Sequence, residues 1–378
     1  MVRTFPYRTA TGAIYDSGDY VARLDEALER ADAARFPERR EDSARRGKLR
    51  GIGVGPYVEG TGGVPREYAE VRVLPTGIVE VPIGSQSQGQ GHETTFAQVV
   101  AERLGVPFET VHIVMGDTDR VVDGVGTFAS RSMVRGGSAA VEASDLAVEA
   151  GRPMAAHLLE AAVADIEYRD GAFSVVGTDR SIGIFDVARA AAAGTLPAAL
   201  GTALGAAKMH ENRAFAFANG CEVCELEVDP ETGAVTIAAW TVVDDSGRSV
   251  NPMIVHGQMH GAAAQGIGQA LTERCVYDPA SGQLLSGSFL DYAIPRAEDL
   301  PAISVTSRDV PSPTNPLGVK GAGEGATVGA PGAVIHAILD ALAPLGVTHI
   351  DMPATPARVW QAIQRAQTFL PNSRANCP

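Results

Sequence analysis

The residues with the clearest chemical potential lie in Asn315-Pro-Leu-Gly-Val-Lys-Gly-Ala-Gly-Glu-Gly-Ala-Thr-Val-Gly-Ala-Pro331. One carboxylate, Glu324, stands between Gly323 and Gly325, with Lys320 upstream. Glycine lets a backbone approach a ligand closely and take positive φ. The apolar run from Ala326 to Leu342 predicts a helix, whose first turn offers unpaired N–H groups and the positive end of a dipole. A carboxylate held there is a candidate base. The competing reading is a plain loop leading into a helix, with Glu324 as a first-turn acid.

Three further stretches join it. Gly84-Ser-Gln-Ser-Gln-Gly-Gln-Gly-His-Glu-Thr-Thr95 runs from a predicted strand into a predicted helix, whose N–H groups could receive a phosphate. It lacks the Lys of a Walker loop, and Thr94 stands where a dinucleotide fingerprint has its third Gly. Gly124-Val-Gly-Thr-Phe-Ala-Ser-Arg-Ser-Met133 again sets small hydroxylated residues before a helix. His256 and His260 have the i, i+4 spacing of a metal pair, but Gly257, Gln258 and Met259 between them supply no acid. The small residues there predict a helix packed on another backbone, with Gln258 and Gln265 as polar points. Cys221 and Cys224 form a C-x-x-C, yet zinc needs two more ligands and Cys275 is the only other central thiol, so packing within a strand is favoured. Asp244-Asp-Ser-Gly-Arg248 reads either as an exposed turn or as a device that orients a loop near the site.

The elements that must position these residues are mixed. Helices are expected at 19–36, 92–104, 132–164 (broken near Gly151-Arg-Pro153), 185–193, 251–271, 326–342 and 356–369. The charged stretch 38–48 is a helix or a linker. Leu49 to Val58 is a glycine-rich strand. Hairpins are expected about Pro75-Thr-Gly77, Arg169-Asp-Gly171, Asp229-Pro-Glu-Thr-Gly233 and Gln283, and short strands at 110–115 and 303–307. Hairpins outnumber βαβ units, which predicts an α+β fold with mixed or antiparallel sheets. An irregular and helical leading segment, 1–48, precedes one large domain, 49–378, with a possible subdomain boundary near 165–210.

Composition excludes several classes. The chain has 378 residues, net charge −14 and pI near 5.0, which argues against binding nucleic acid through bulk electrostatics. No uninterrupted run of 18 apolar residues occurs, so no membrane span is expected. Four cysteines (Cys221, Cys224, Cys275, Cys377) make no disulfide framework and fit a reduced, cytoplasmic compartment.

The ordered set of motifs is specific. It comprises Phe5-Pro-Tyr-x-Thr-x-x-Gly-x-x-Tyr-Asp-Ser-Gly-Asp-Tyr20, Gly89-Gln-Gly-His-Glu-Thr94, Gly116-Asp-Thr-Asp119, Val228-Asp-Pro-Glu-Thr-Gly233, Asn251-Pro252, Gly257-Gln258 and Gly318-Val-Lys-Gly-Ala-Gly-Glu324. In these the chain resembles, almost end to end, the C-terminal half of the molybdenum-binding large subunit of the xanthine dehydrogenase, aldehyde oxidase and aerobic carbon monoxide dehydrogenase family. The resemblance implies a second molybdopterin-binding domain. It implies that Gln90, Gly91, Ala129, Ser130, Ser132 and Gln258 line a pterin and its phosphates, in the cytosine dinucleotide form usual in bacteria. Lys320 would support the glycine loop and Glu324 would be the base. Molybdenum would be held through the pterin dithiolene, with no protein ligand.

The implied reaction is oxidative hydroxylation of an aldehyde or N-heterocycle with water as oxygen source; carbon monoxide is the alternative substrate. The implied partners are a chain carrying the first cofactor-binding half, an iron–sulfur subunit with 2Fe-2S clusters and an FAD subunit. Complete large subunits are about twice this length, so the chain is expected to be a split or truncated piece. A reading of another class is a non-catalytic cofactor-binding chaperone or a remnant.

Overall fold

The computed structural model describes residues 1–369; Cys377 lies outside them. A short hairpin, β1 (Tyr7–Arg8) and β2 (Ile14–Tyr15), leads into α1 (Tyr20–Arg30) and α2 (Phe36–Arg45). Next come β3 (Leu49–Thr61), β4 (Arg66–Val73), β5 (Val79–Pro82), α3 (His92–Leu104) and β6 (Val111–Val114). A π-helical turn, Ser132–Gly137, runs directly into α4 (Ser138–Leu158). Then follow β7 (Ile166–Arg169), β8 (Ala172–Val175), β9 (Ser181–Gly183), α5 (Ile184–Ala192) and β10 (Leu204–Glu211). The last elements are β11 (Ala216–Val228), β12 (Val235–Asp245), α6 (Pro252–Leu271), β13 (Ile303–Ser307), α7 (Gly325–Leu342) and α8 (Pro356–Phe369).

Two four-stranded sheets carry the architecture, with strand orders β10-β4-β5-β6 and β13-β12-β11-β3. Each is antiparallel except for one parallel pair, β5 with β6 and β12 with β13. This is the α+β class with mixed sheets. The sheets are joined by a two-stranded ribbon. β3 pairs with β11 up to Thr61↔Ala216, and β4 pairs with β10 from Arg66↔Glu211 onward. Both strands cross from sheet to sheet together, where Asn212 N–H donates to Pro65 O (2.8 Å).

Residues between the crossings build one hydrophobic core, around Ile83, Phe96, Leu104 and Phe173. A second lies under α6, α7 and α8, around Leu226, Trp240, Met259 and Ile338. A small third cluster joins Ala27 of α1 to Cys221, Val223 and Val243. β11 is buried along almost its whole length. Residues three apart on a strand face opposite ways, and Cys221 and Cys224 accordingly fill different clusters.

Alternation along β3 explains the position of α7. Gly51, Gly53 and Gly55 share one face. A Cβ there would lie 1.9 Å from Ala337 O, 2.0 Å from Ala333 O and 2.3 Å from Gly329 O respectively. The helix backbone therefore rests on the strand backbone, which only glycine permits. Residues 325–345 are long and apolar enough, by length and composition, to cross a membrane. Ala326, Ala330, Ala333, Val334, Ala337 and Ile338 are nonetheless buried, and α7 is a core helix.

Three expectations need correction. α4 runs unbroken through Gly151-Arg-Pro153 and stops at Leu158. Proline removes one helix hydrogen bond, but Gly151 packs against Phe173, and Arg152 donates to Ile166 O and to Glu149. The hairpin about Gln283 reduces to an isolated bridge, Tyr277↔Leu284. β10 was unforeseen in an alanine-rich stretch; alanine is depleted in strands, and pairing along all of β4 overrides that preference.

Candidate active site

A cavity of about 570 Å³ opens among the starts of α3, α6 and α7 and the loop before α4. Gln90, Ser130, Ser132, Gln258, Lys320 and Glu324 all line it, although they are scattered over more than half the chain. Gly91 and Ala129 are not among its lining residues; each is flanked in sequence by two that are. Gly91, at φ 77°, caps α3, and a Cβ there would sit 2.9 Å from Ile254 of α6. Ala129 and Ser130 hold left-handed φ of 49° and 50°. Non-glycine residues adopt this region only when the surroundings impose it.

Next to them in the chain, Arg131 enters a buried ion pair that sequence reasoning missed. Glu67 and Arg131 have fully buried side chains and meet at 2.6 Å. Glu67 also accepts from Ser85 Oγ (3.1 Å), Val125 N–H (3.0 Å) and Gly126 N–H (3.3 Å). Arg131 donates in turn to the carbonyls of Gly126 and Arg66. One carboxylate thus ties the glutamine-rich loop to the second glycine loop. Glu67 carries no local signature, because its partner lies 64 residues away.

Lys320 is held the same way. Its Nζ meets Asp245 Oδ2 at 2.8 Å, with both side chains fully buried. Asp245 also accepts from Asn219 Nδ2, Gly247 N–H and Val310 N–H, each at 3.0 Å. Lys320 N–H donates to Ser246 O (2.7 Å), and Gly321 N–H to Thr61 Oγ1 (2.8 Å). Asp244 and Asp245 are buried, so the exposed-turn reading of 244–248 fails and the loop-orienting one stands. Arg248, at the end of that stretch, lines the cavity. The start of α6 is capped by Asn251, whose Oδ1 accepts from Ile254 N–H (3.2 Å). The Asn251 amide also donates to Gln98 of α3 (3.1 Å).

Glu324 directly precedes α7 and is exposed to the cavity. Ser130 Oγ donates to its Oε2 at 3.3 Å. Glu59 of β3 lies beside it, buried, and burial followed by the charge of Glu324 pushes its carboxyl up to about 7, against the pull of Ser130. Burial pushes the His92 imidazole down to about 4, keeping it neutral where it stacks on Phe96.

The metal-like motifs behave otherwise. His260 Nδ1 bonds to the carbonyl of His256 in its own helix (2.7 Å). Burial pushes the Cys221 thiol up to about 12 and Cys224 well above its ordinary value, so neither is a reactive thiolate. Among the described residues, no group of three or more His, Cys, Asp or Glu could hold a metal ion.

Residues 26–301 match the family model of the molybdopterin cofactor-binding domain, and the chain belongs to that family. It is 35% identical to the carbon monoxide dehydrogenase large chain of Hydrogenophaga pseudoflava, over 95% of this chain and 46% of that one. It is 36% identical to the nicotine 6-hydroxylase large subunit of Paenarthrobacter nicotinovorans, over 96% and 46%. The solved quinoline 2-oxidoreductase of Pseudomonas putida 86 superposes with a TM-score of 0.87 at 37% identity, covering 95% of this chain and 48% of that one. The chain spans about half the length of the curated relatives it matches.

The cavity suits such a cofactor. Its volume falls in the range of small-molecule sites, roughly 300–1,000 Å³. Four glutamines, Gln88, Gln90, Gln258 and Gln265, offer paired donors and acceptors for a heterocycle edge. Arg248 and the start of α3, which has no side-chain cap, suit phosphate. Ser246 also lines the cavity, with its hydroxyl buried on the Asp244 side.

Proposed function

We propose that this chain supplies the second cofactor-binding half of a molybdenum hydroxylase catalytic unit, with Glu324 as its base. The observation that carries the reading is that, among the described residues, Glu324 is the only acid on a cavity wall made of amides, hydroxyls, apolar groups and a few cations. Gln90, Gln258, Ser130, Ser132 and the backbones of Gly91 and Ala129 would hold the molybdopterin, in its cytosine dinucleotide form. Lys320 acts behind them by fixing the glycine loop. When bound, the cofactor supplies two-electron oxidation. The Glu324 carboxylate, oriented by the Ser130 hydroxyl, takes the proton released when water is the oxygen source.

The substrate class is an aldehyde or N-heterocycle, in keeping with relatives named for nicotine and quinoline; carbon monoxide is the alternative. In this reading 1–48 and 49–378 serve one unit, completed by a chain bearing the first cofactor half and by iron–sulfur and FAD subunits in the cytoplasm. Apolar side chains stand exposed along the irregular segment after α6, with Phe289 82% and Leu290 92% accessible, which supports a covering partner.

In the assembled enzyme, Glu324→Gln keeps shape but cannot take a proton. Molybdenum content should persist while turnover falls roughly 10² to 10⁴-fold. Gln258→Ala should lower cofactor occupancy before it alters turnover per molybdenum. Full activity of Glu324→Gln, or loss of cofactor from it, would sink the assignment. Co-purification with a partner, combined with molybdenum analysis, separates this reading from a chaperone that binds cofactor alone.

A further inference from the structure

The face of β3 that carries Gly51, Gly53 and Gly55 continues through Tyr57, Glu59 and Thr61. Small residues lie under the body of α7 and larger ones under its start. Tyr57 fits beneath Gly325 and Gly329, and Glu59 beneath Gly321, where a Cβ would meet Ser130 Cβ at 2.5 Å and Glu59 Oε2 at 3.2 Å. Glu59 is thereby sealed behind the cavity wall, 9% exposed, and its Oε2 has no donor. Its carboxyl therefore shares this corner with Ser130 and, across the Ser130 hydroxyl, with the Glu324 carboxylate. Ser130 Oγ already donates to Glu324.

Of two neighbouring carboxylates, one that is desolvated and without a donor resists ionising. Burial is what holds the proton on Glu59. We propose that Glu59 is a positioning residue whose neutral carboxyl donates to the Glu324 carboxylate, so that Glu59, Ser130 and Glu324 work as one set. The proposal rests on the reading of Glu324 as base and deepens it. Glu324 stands between two glycines and, among the described residues, has no other side-chain hydrogen-bond partner, so its carboxylate needs such an anchor. The proton stays on Glu59 while Glu324 takes up and releases its own toward the cavity.

Other charged groups near Glu59 are the Tyr57–Asp244 pair at its back and the Lys320–Asp245 pair behind the glycine loop. The Lys320 charge is already matched by Asp245, and Asp244 disfavours ionising Glu59 further. Once Glu59 ionises, near neutrality, the donor becomes a repelling charge and Glu324 loses its anchor.

The test begins on the full chain, with residue-assigned ¹³C-carboxyl NMR of Glu59 across pH. Glu59 should titrate near 7, and Glu324→Gln, a change at an exposed position, should lower that midpoint by about one unit. A Glu59 midpoint in the ordinary carboxylate range, or one unmoved by Glu324→Gln, overturns the proposal. In the assembled enzyme, Glu59→Ala should lower kcat roughly tenfold or more at unchanged molybdenum content. Glu59→Gln, which can still donate, should recover most of that loss and remove the alkaline limb of the pH profile. Equal losses in Glu59→Ala and Glu59→Gln would also overturn it. The NMR coupling needs no cofactor, so intact coupling with Glu324→Gln fully active would sink the base assignment and leave the pair standing.

Discussion

Lys320 shows how much of the site depends on a single buried contact. Its ammonium and the Asp245 carboxylate are both withdrawn from water, which costs each of them solvation that their mutual attraction and added hydrogen bonds must offset. Lys320→Met should therefore leave Asp245 charged, buried and short of one donor. The expected loss is about 3–5 kcal/mol, read as a lower midpoint in urea unfolding. A change under 1 kcal/mol would mean that the three N–H donors on Asp245 suffice. At this scale the sequence was legible where chemistry is local. Glu324 and Lys320 stand in a glycine-rich run, and Gln90, Ser130 and Ser132 stand in loops with obvious small-residue patterns. Glu59 and Glu67 were not legible as site residues: each reads as an ordinary polar residue on a strand, and its meaning comes from groups brought close only by the fold. Asp245 was legible as part of a stretch that orients a loop, but its pairing with Lys320 was not.

Among the elements, the pairing of β3 with α7 decides where Glu324 stands, since the helix cannot slide along a strand whose glycines its carbonyls touch. Gly53→Ala would force a methyl to within 2.0 Å of Ala333 O, so helix and strand must part. The expected cost is about 3 kcal/mol, at the upper end of overpacking effects, visible as a large drop in melting temperature. Gly332→Ala in the same helix meets nothing within 4 Å. It should stabilise by roughly 0.5–1 kcal/mol through reduced backbone freedom. If the two variants melt alike, the close-contact account fails. Strongly periodic or well-punctuated elements were readable from sequence, including α3, α8 and β13. Those set by partners were not: α4 persists through Pro153, and β10 exists because β4 offers a free edge.

The whole molecule carries net charge −14, yet several acids lie inside it. Burial, and then neighbouring charge, raise Glu59 and Asp244 to about 7, from ordinary values of 4.5 and 3.8. Such groups favour the folded state fully below their unfolded pKa and withdraw that favour as pH climbs toward 7. Glu227 runs the other way. Its hydrogen bond with Arg46 brings it down to about 2, so its contribution holds above about pH 4.5 and is lost as pH falls toward 2. Stability should therefore peak on the mildly acidic side. The urea midpoint should be higher near pH 5.5 than near pH 7.5, and Asp244→Asn should flatten that slope; a rising slope would contradict the burial of these acids. The ribbon that joins the two sheets has another consequence. Residues 66–211 leave and rejoin the rest of the chain at adjacent rungs, Arg66↔Glu211 beside Thr61↔Ala216. A segment with that geometry is a cassette: it can be gained, lost or exchanged in evolution without re-threading the sheet around it. The pocket draws its wall both from within this segment and from outside it, a dependence that sequence order alone conceals.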